Sequence, residues 1–348
     1  MPSVRRRASA SEAARSWPSY NPPMASAAKP VVCIVTPGTR SANNGNWRTA
    51  VRWAAMLRDR YRPIVQTAWE GEPADALVAL HARRSADSIA RYHDAKGASR
   101  IAVVLTGTDL YRDLPAGSAE VPRSLDLAGR IVVLQDHALA SLAPEWRRKA
   151  TVIFQSAPLL ARRKKPAGRL DAIVVGHLRA EKDPATLFEA VRRLPADLPI
   201  RIRHVGAPLD DALGREARAL ERSDRRYRYS GALPHGLVRG AIARAHVLVH
   251  PSVIEGGANV VVEAVTAGTP VIASRIAGNA GMLGDDYPGY FEPRDAAGLA
   301  ALLVRALAEP RFAAALRRAC DARRPLFRPA AEARSVRTLV AGLLARQL

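Results

Sequence analysis

The sequence predicts an α/β chain built as two Rossmann-like units, and three observations carry that expectation. Apolar strands at residues 172–175 and 245–249 each run into a polar or glycine-bearing turn and then a helix. The same strand, loop and helix order stands in the amino-terminal half, beginning at residues 31–35. The length of 348 residues is enough for two domains of ordinary size, each able to bury a core.

Residues 1–28 are rich in Ser, Ala, Pro and Arg, which predicts a disordered extension. They lack an apolar run long enough for a signal peptide, and Met24 is a candidate native start. After the strand at 31–35 comes the loop 36–46, with a helix expected to begin near Trp47. The loop is not a Gly-x-Gly-x-x-Gly, so the dinucleotide fingerprint is absent. Asn43, Asn44, Gly45 and Asn46 offer amides and backbone N–H groups to an acceptor or to phosphates, or they are a plain turn cluster, since Asn and Gly dominate turns. Residues 75–81 read as a strand ending in His81, and 101–105 as a strand leading into Thr106, Gly107, Thr108 and Asp109. If these strands are parallel, both ends face an interdomain cleft.

The basic run Arg162, Arg163, Lys164, Lys165, Pro166 interrupts the alternation and marks a linker at 162–168. The strand at 172–175 then leads into Gly176, His177, Leu178, Arg179, Ala180, Glu181 and Lys182. Asp183 and Pro184 form an N-cap and first-turn pair for the next helix. Arg179 and Lys182 thus stand in a loop at the carboxyl end of a strand, where open α/β sheets bind ligands and where cations can stabilise a departing diphosphate.

Glu255 and Glu263, eight positions apart, bracket Gly256 and Gly257 in the turn after the strand at 245–249. Glycines let a backbone approach a ligand closely, and a helix start near Asn259 and Val260 presents N–H groups suited to phosphate. A carboxylate accepts two hydrogen bonds at once, so Glu263, placed in the first helical turn, suits a ribose diol and Glu255 suits sugar hydroxyls. Beyond Phe312 the chain reads as helical to its end, with a break around residues 325–329.

The formal net charge is +21, of which the first 29 residues carry +4, and the pI is near 11.1. Such a balance favours anionic partners: nucleic acid, a membrane surface or phosphorylated substrates. No stretch approaches the ~20 apolar residues of a membrane span. Cys33 and Cys320 lack paired metal spacing, which suits reduced thiols in a cytoplasm. No Asp-x-Asp triplet occurs, so neither a metal nor another cofactor is expected.

Together these segments resemble the donor half of retaining glycosyltransferases of the GT-B fold, with Lys182, Glu255 and Glu263 in the family positions. Residues 266–273 resemble the helix, turn and strand that follow there. The family arginine after the glycine is His177 here, and Arg179 is expected to supply the cation instead. Thr106 stands where the family usually has a histidine, which leaves His81 as the amino-domain candidate, with Asp109 behind it. The segments Thr36-Pro37-Gly38, Asn43 to Ala50, Leu80 to Ser85 and Gly176 to Arg179 are similar to the selenosugar synthases of selenoneine biosynthesis.

The resemblance implies two Rossmann-like domains facing across a cleft: an acceptor-side domain at 29–161, the linker 162–168, a nucleotide-sugar domain at 169–324, and a segment 325–348 crossing back to the first domain. It implies Lys182, Arg179, Glu255 and His81 as catalytic residues. Glu263, Gly256, Gly257, Asn259, Val260 and His177 are implied on the donor, and Asn43, Asn44, Gly45, Asn46, Thr106 and Asp109 on the acceptor. The implied substrates are a UDP-sugar such as UDP-N-acetylglucosamine and selenophosphate, joined through a C–Se bond, with no nucleic acid and no stable membrane association. An ordinary O-glycosyltransferase shares every donor residue, and a polyanion-binding protein would explain the charge alone.

Overall fold

The computed structural model describes residues 28–39 and 45–345. The expected extension and Met24 fall almost wholly outside the described residues, as do Asn43, Asn44 and the last three positions. Among the described residues the first half runs β1 (Val31–Val35), α1 (Gly45–Leu57), β2 (Arg62–Gln66), β3 (Ala76–Leu80), α2 (Ala86–Lys96) and β4 (Ile101–Val104). It continues through α3 (Glu120–Leu127), β5 (Arg130–Val133), α4 (Pro144–Arg147) and β6 (Ala150–Val152). All neighbouring strands are parallel, in the order β2-β1-β3-β4-β5-β6.

The second half starts with β7 (Leu170–Val175), α5 (Pro184–Arg193), β8 (Ile200–Val205), α6 (Asp211–Ser223), β9 (Tyr227–Tyr229) and α7 (His235–Arg244). Next come β10 (Val247–His250), α8 (Asn259–Ala267), β11 (Val271–Ser274), α9 (Ala277–Leu283), β12 (Tyr290–Phe291), α10 (Ala296–Ala308), α11 (Pro310–Arg323) and α12 (Pro329–Leu344). Its strands are again parallel, ordered β12-β11-β10-β7-β8-β9. Parallel strands covered on both faces read as continuous apolar runs, and β3, β4 and β11 are buried at every position.

The strand orders place the functional loops. In the carboxyl-terminal sheet the chain winds outward from β7 through β8 to β9, then returns to β10 on the other side of β7. The loops after β7 and β10 therefore diverge at a topological switch point, where a crevice opens at the carboxyl ends of the strands. In the amino-terminal sheet the switch lies between β1 and β3, at the loop from Thr36 and at His81.

Helix α12 packs against α1, with Val336, Leu339, Val340 and Leu343 sharing one buried cluster with Trp53 and Leu57. Its Glu332, 1% exposed, accepts from Arg52 Nε at 2.9 Å, Trp53 Nε1 at 2.7 Å, and Ser156 N at 2.9 Å.

Some local expectations need correction. Strand β2 was not anticipated, because Arg62 and Pro63 open it and none of its positions is fully buried, as befits an edge. Glu263 is the fifth residue of α8 and so lies beyond its first turn. Within the basic linker Lys165 is not a free surface cation: its Nζ donates to Ala243 O at 2.7 Å and Ala245 O at 2.5 Å, and burial pulls it down to about 8.

Candidate functional site

The chain after β7 makes a short turn at Ala180–Lys182 and is then stopped by Asp183, whose φ of 45° is left-handed. Asp183 caps α5: its Oδ1 accepts from Thr186 N at 3.4 Å and its Oδ2 from Thr186 Oγ1 at 2.5 Å, while Pro184 occupies the first helical position. The loop after β10 is tied to this turn by Val253 N donating to Glu181 O at 3.0 Å. The two loops thereby bring Lys182 to Glu255.

Lys182 Nζ donates to Glu255 Oε1 at 2.5 Å, and His250 Nε2, at the end of β10, stands 3.1 Å from the same oxygen. Glu255 is only 9% exposed. Burial alone would raise its carboxyl, but Lys182 and His250 outweigh that and hold it well below the ordinary value. The result is a fixed carboxylate and an ammonium at the switch point.

Around this pair the other donor-side residues gather. His177 Nδ1 accepts from Ala207 N at 2.9 Å, which leaves its proton on Nε2 as a donor. Burial, then Arg179, Lys182 and Arg48, lower its pKa, so this residue is neutral where the resembled family carries a cation. Arg179 is exposed and lies 3.8 Å from Glu181, away from Glu255. The other oxygen of Glu181 accepts from Arg112 Nη1 of the opposite half at 2.7 Å. Glu263 Oε1 is 2.6 Å from His235 Nε2. Helix α8 has no side-chain cap, and the N–H groups of Asn259 and Val260 have no partner among the described residues.

Gly256 and Gly257 answer to a different constraint from the one expected. A Cβ on Gly256 would stand 2.4 Å from Thr106 C and 2.6 Å from Gly107 N. One on Gly257 would stand 2.7 Å from Leu134 Cβ. The glycines admit the opposite half of the molecule; closeness to a ligand is not what demands them here. Gly107 matches this with a φ of 123° and the same close approach to Gly256 N.

On the amino-terminal side, His81 and Asp109 stand behind this contact. Asp109 is fully buried: its Oδ1 accepts from the N–H groups of Thr106, Gly107 and Leu110, and its Oδ2 from that of Ala82. It shapes the loop that meets Gly256 and cannot itself touch an acceptor in this arrangement. His81, 2% exposed and left-handed at φ 72°, sits 2.9 Å through Nε2 from Thr108 Oγ1 and accepts through Nδ1 from Arg84 N. Polar work at the cleft surface is therefore not what its geometry offers. Of the asparagine loop, Gly45 and Asn46 begin α1, and Asn43 and Asn44 lie outside the described residues.

Arg48 and His250 carried no expectation, and His235 none either. Gly45, Arg48 and Arg52 lie at i, i+3 and i+7, on one face of α1. A Cβ on Gly45 would stand 3.6 Å from Asn259 Nδ2, and Arg52 Nη1 donates to Asn259 Oδ1 at 3.2 Å. Arg48 between them therefore faces the start of α8. Burial lowers the guanidinium's pKa and Glu263 pulls it back up. Only the spacing along α1 hinted at this; its direction depends on how the two sheets meet. Among the described residues no group of three His, Cys, Asp or Glu side chains is arranged to hold a metal, and no helix is long and apolar enough to cross a membrane.

Two facing sheets with a switch-point site define the GT-B fold. Residues 159–323 match the family described as Glycosyl transferases group 1. Glycogen synthase of Mycobacterium tuberculosis is 35% identical over 178 residues, which cover 49% of this chain and 41% of the relative. The chain thus spans less than half the length of that relative. Among solved structures, sucrose-phosphate synthase from Thermosynechococcus elongatus is similar with a TM-score of 0.73 at 18% identity, covering 90% of this chain and 99% of the other. HepE of Anabaena, in complex with UDP and glucose, is similar with a TM-score of 0.70 at 14% identity, over 90% and 99% of the two chains.

Proposed function

We propose that this protein transfers a sugar from a UDP-sugar, N-acetylglucosamine being the expected group, to selenophosphate. The observation that carries the transferase reading is the half-buried Lys182 on the buried Glu255 and His250, at the switch point beside the open N-terminus of α8. The similar HepE of Anabaena in complex with UDP and glucose, and with UDP-glucose, supports the donor class. The selenium step rests on the resemblance of the loop segments alone.

In this reading the diphosphate lies against the Asn259 and Val260 N–H groups, with Lys182 offsetting the charge that grows as UDP departs. Arg48 on α1 of the facing half and the Nε2–H of His177 take the place of the family arginine, and Arg179 lies further out. Glu255 accepts from hydroxyls of the transferred sugar and Glu263 from the ribose. Selenium attacks the anomeric carbon as the bond to UDP breaks; water then removes phosphate and leaves a 1-seleno sugar. An ionised selenium nucleophile needs little help from a general base, consistent with a buried His81 and with Thr106 in the place of a histidine. No metal or other cofactor enters the scheme.

Incubation with UDP-N-acetylglucosamine and selenophosphate, followed by mass spectrometry, tests both levels. A seleno sugar formed together with UDP is expected. The name of the glycogen synthase relative favours a second acceptor class, a glucan or other hydroxyl-bearing molecule. UDP release only with such acceptors would replace the selenium reading and keep the transferase. Absence of UDP binding by calorimetry would remove both.

A further inference from the structure

Strand β8 departs from the pattern of a doubly covered strand. In Ile200-Arg201-Ile202-Arg203 the isoleucines are buried and the arginines exposed, a period-two alternation that marks one face as open to water. Helix α7 packs over β7, and beside it a cavity of about 600 Å³ opens over β7, β8 and β9. Six cations line it, against two carboxylates, Asp171 and Glu221.

Their arrangement is uneven. Arg169 and Arg201 share one carboxylate, each donating through Nε to Asp171 Oδ1 at 3.0 Å, which offsets one of their two charges. Arg203 and Arg228 are direct register partners on β8 and β9. Like charges directly opposite across two strands are destabilising. Among the described residues Arg203 reaches the hydroxyl of Ser230 at 2.9 Å, and Arg228 a 3.6 Å ion pair with Glu221. Lys164 from the linker and Arg244 from the end of α7 line the same cavity.

We infer that this cavity is a second binding site, separate from the switch-point crevice, for a small molecule carrying two or more phosphate groups. The volume lies in the range of small-ligand sites. Adjacent strands are roughly 5 Å apart, so paired guanidinia can grip neighbouring phosphates in the bidentate way that arginine favours. The concave setting, floored by Ile173 and Ala241, fits a compact ligand better than a duplex or a bilayer. The site absorbs part of the net charge of +21 that the switch-point crevice leaves unexplained.

Titration of wild type and variant with inorganic tripolyphosphate, each with and without UDP, tests the inference. One binding event is expected, weakened about a hundredfold or more in Arg203→Gln/Arg228→Gln, since two charge-assisted contacts are lost together. The same variant, freed of its facing charges, should melt no lower than the wild type without ligand, which separates loss of binding from loss of fold. Equal affinity in variant and wild type, or no heat above that of the UDP site, overturns the inference. A 20-nucleotide single strand that displaces tripolyphosphate and binds more tightly also overturns it, by giving the face to an extended polymer. Should UDP itself not bind, the comparison of wild type and variant still decides.

Discussion

Glu255 is held by a lysine and a histidine in a place where a carboxylate would otherwise not stay charged. Removing Lys182 therefore has two effects. Lys182→Ala leaves a nearly buried carboxylate without its ammonium, at a cost of about 3–5 kcal/mol in stability. It also lowers kcat about 10²–10³-fold, as loss of one preorganised charge at a leaving group does. Glu255→Gln should retain more stability than Lys182→Ala while still lowering kcat, so urea unfolding and UDP release measured on both variants separate the roles. The pH dependence has a definite sign. Because the folded Glu255 carboxyl lies below its ordinary value, its contribution is present above about pH 4.3 and is lost as pH falls further. His204, pushed by burial down to about 4, is neutral in the folded protein. Its contribution is present above about pH 6.5 and fades between there and pH 4, because the unfolded chain takes up the proton first. Burial lowers His81, His177 and His246 in the same direction, so thermal melting at steps between pH 7 and 4 should show a first decline beginning near 6.5 that is shallower, though not abolished, in His204→Phe. The pair of glutamates was legible because both lie in one short strand, turn and helix, whose local pattern fixes them. His235 and Arg48 were not, since each acts through a partner distant in sequence, and His250 was not, since a histidine ending a buried strand reads as core until the turn that folds Glu255 back onto it is seen.

At the scale of elements, the loop after β4 and the turn before α8 meet through Gly107 and Gly256, with backbone on both sides. Gly256→Ala places a methyl group where only backbone could yield, an overpacking of about 1–3 kcal/mol. Each half can keep its own core, so the strain is relieved by parting the halves. The expected result is a larger radius of gyration in small-angle scattering and a reduced kcat, with near-native circular dichroism; an unchanged radius with full activity would count against the contact. The strands and helices that frame this contact follow from local apolar runs, caps and turns, and most of their positions were legible. The reason for the two glycines was not, because a glycine needed against a ligand and one needed against another loop read alike in sequence. Asp109 is a similar case: a carboxylate at a strand end suggests chemistry, yet four backbone N–H groups consume it.

For the whole molecule, α12 fastens the chain's end onto α1 through an apolar seam and the buried Glu332. Glu332→Ala strands the Nε of Arg52, the Trp53 indole and the Ser156 N–H without an acceptor, a loss of about 3–5 kcal/mol, read as a calorimetric Tm lower by several degrees. Apolar substitution of exposed Arg334 on the same helix should shift it little. The polypeptide passes between the two sheets first in the stretch from β6 to β7 and again on the way into α12. A body joined to its neighbour at two separate points loses most of its freedom to slide or twist. What remains is a swing about the line through both joins, so the jaws can gape to admit a donor and discharge a product, then return to the same register each cycle.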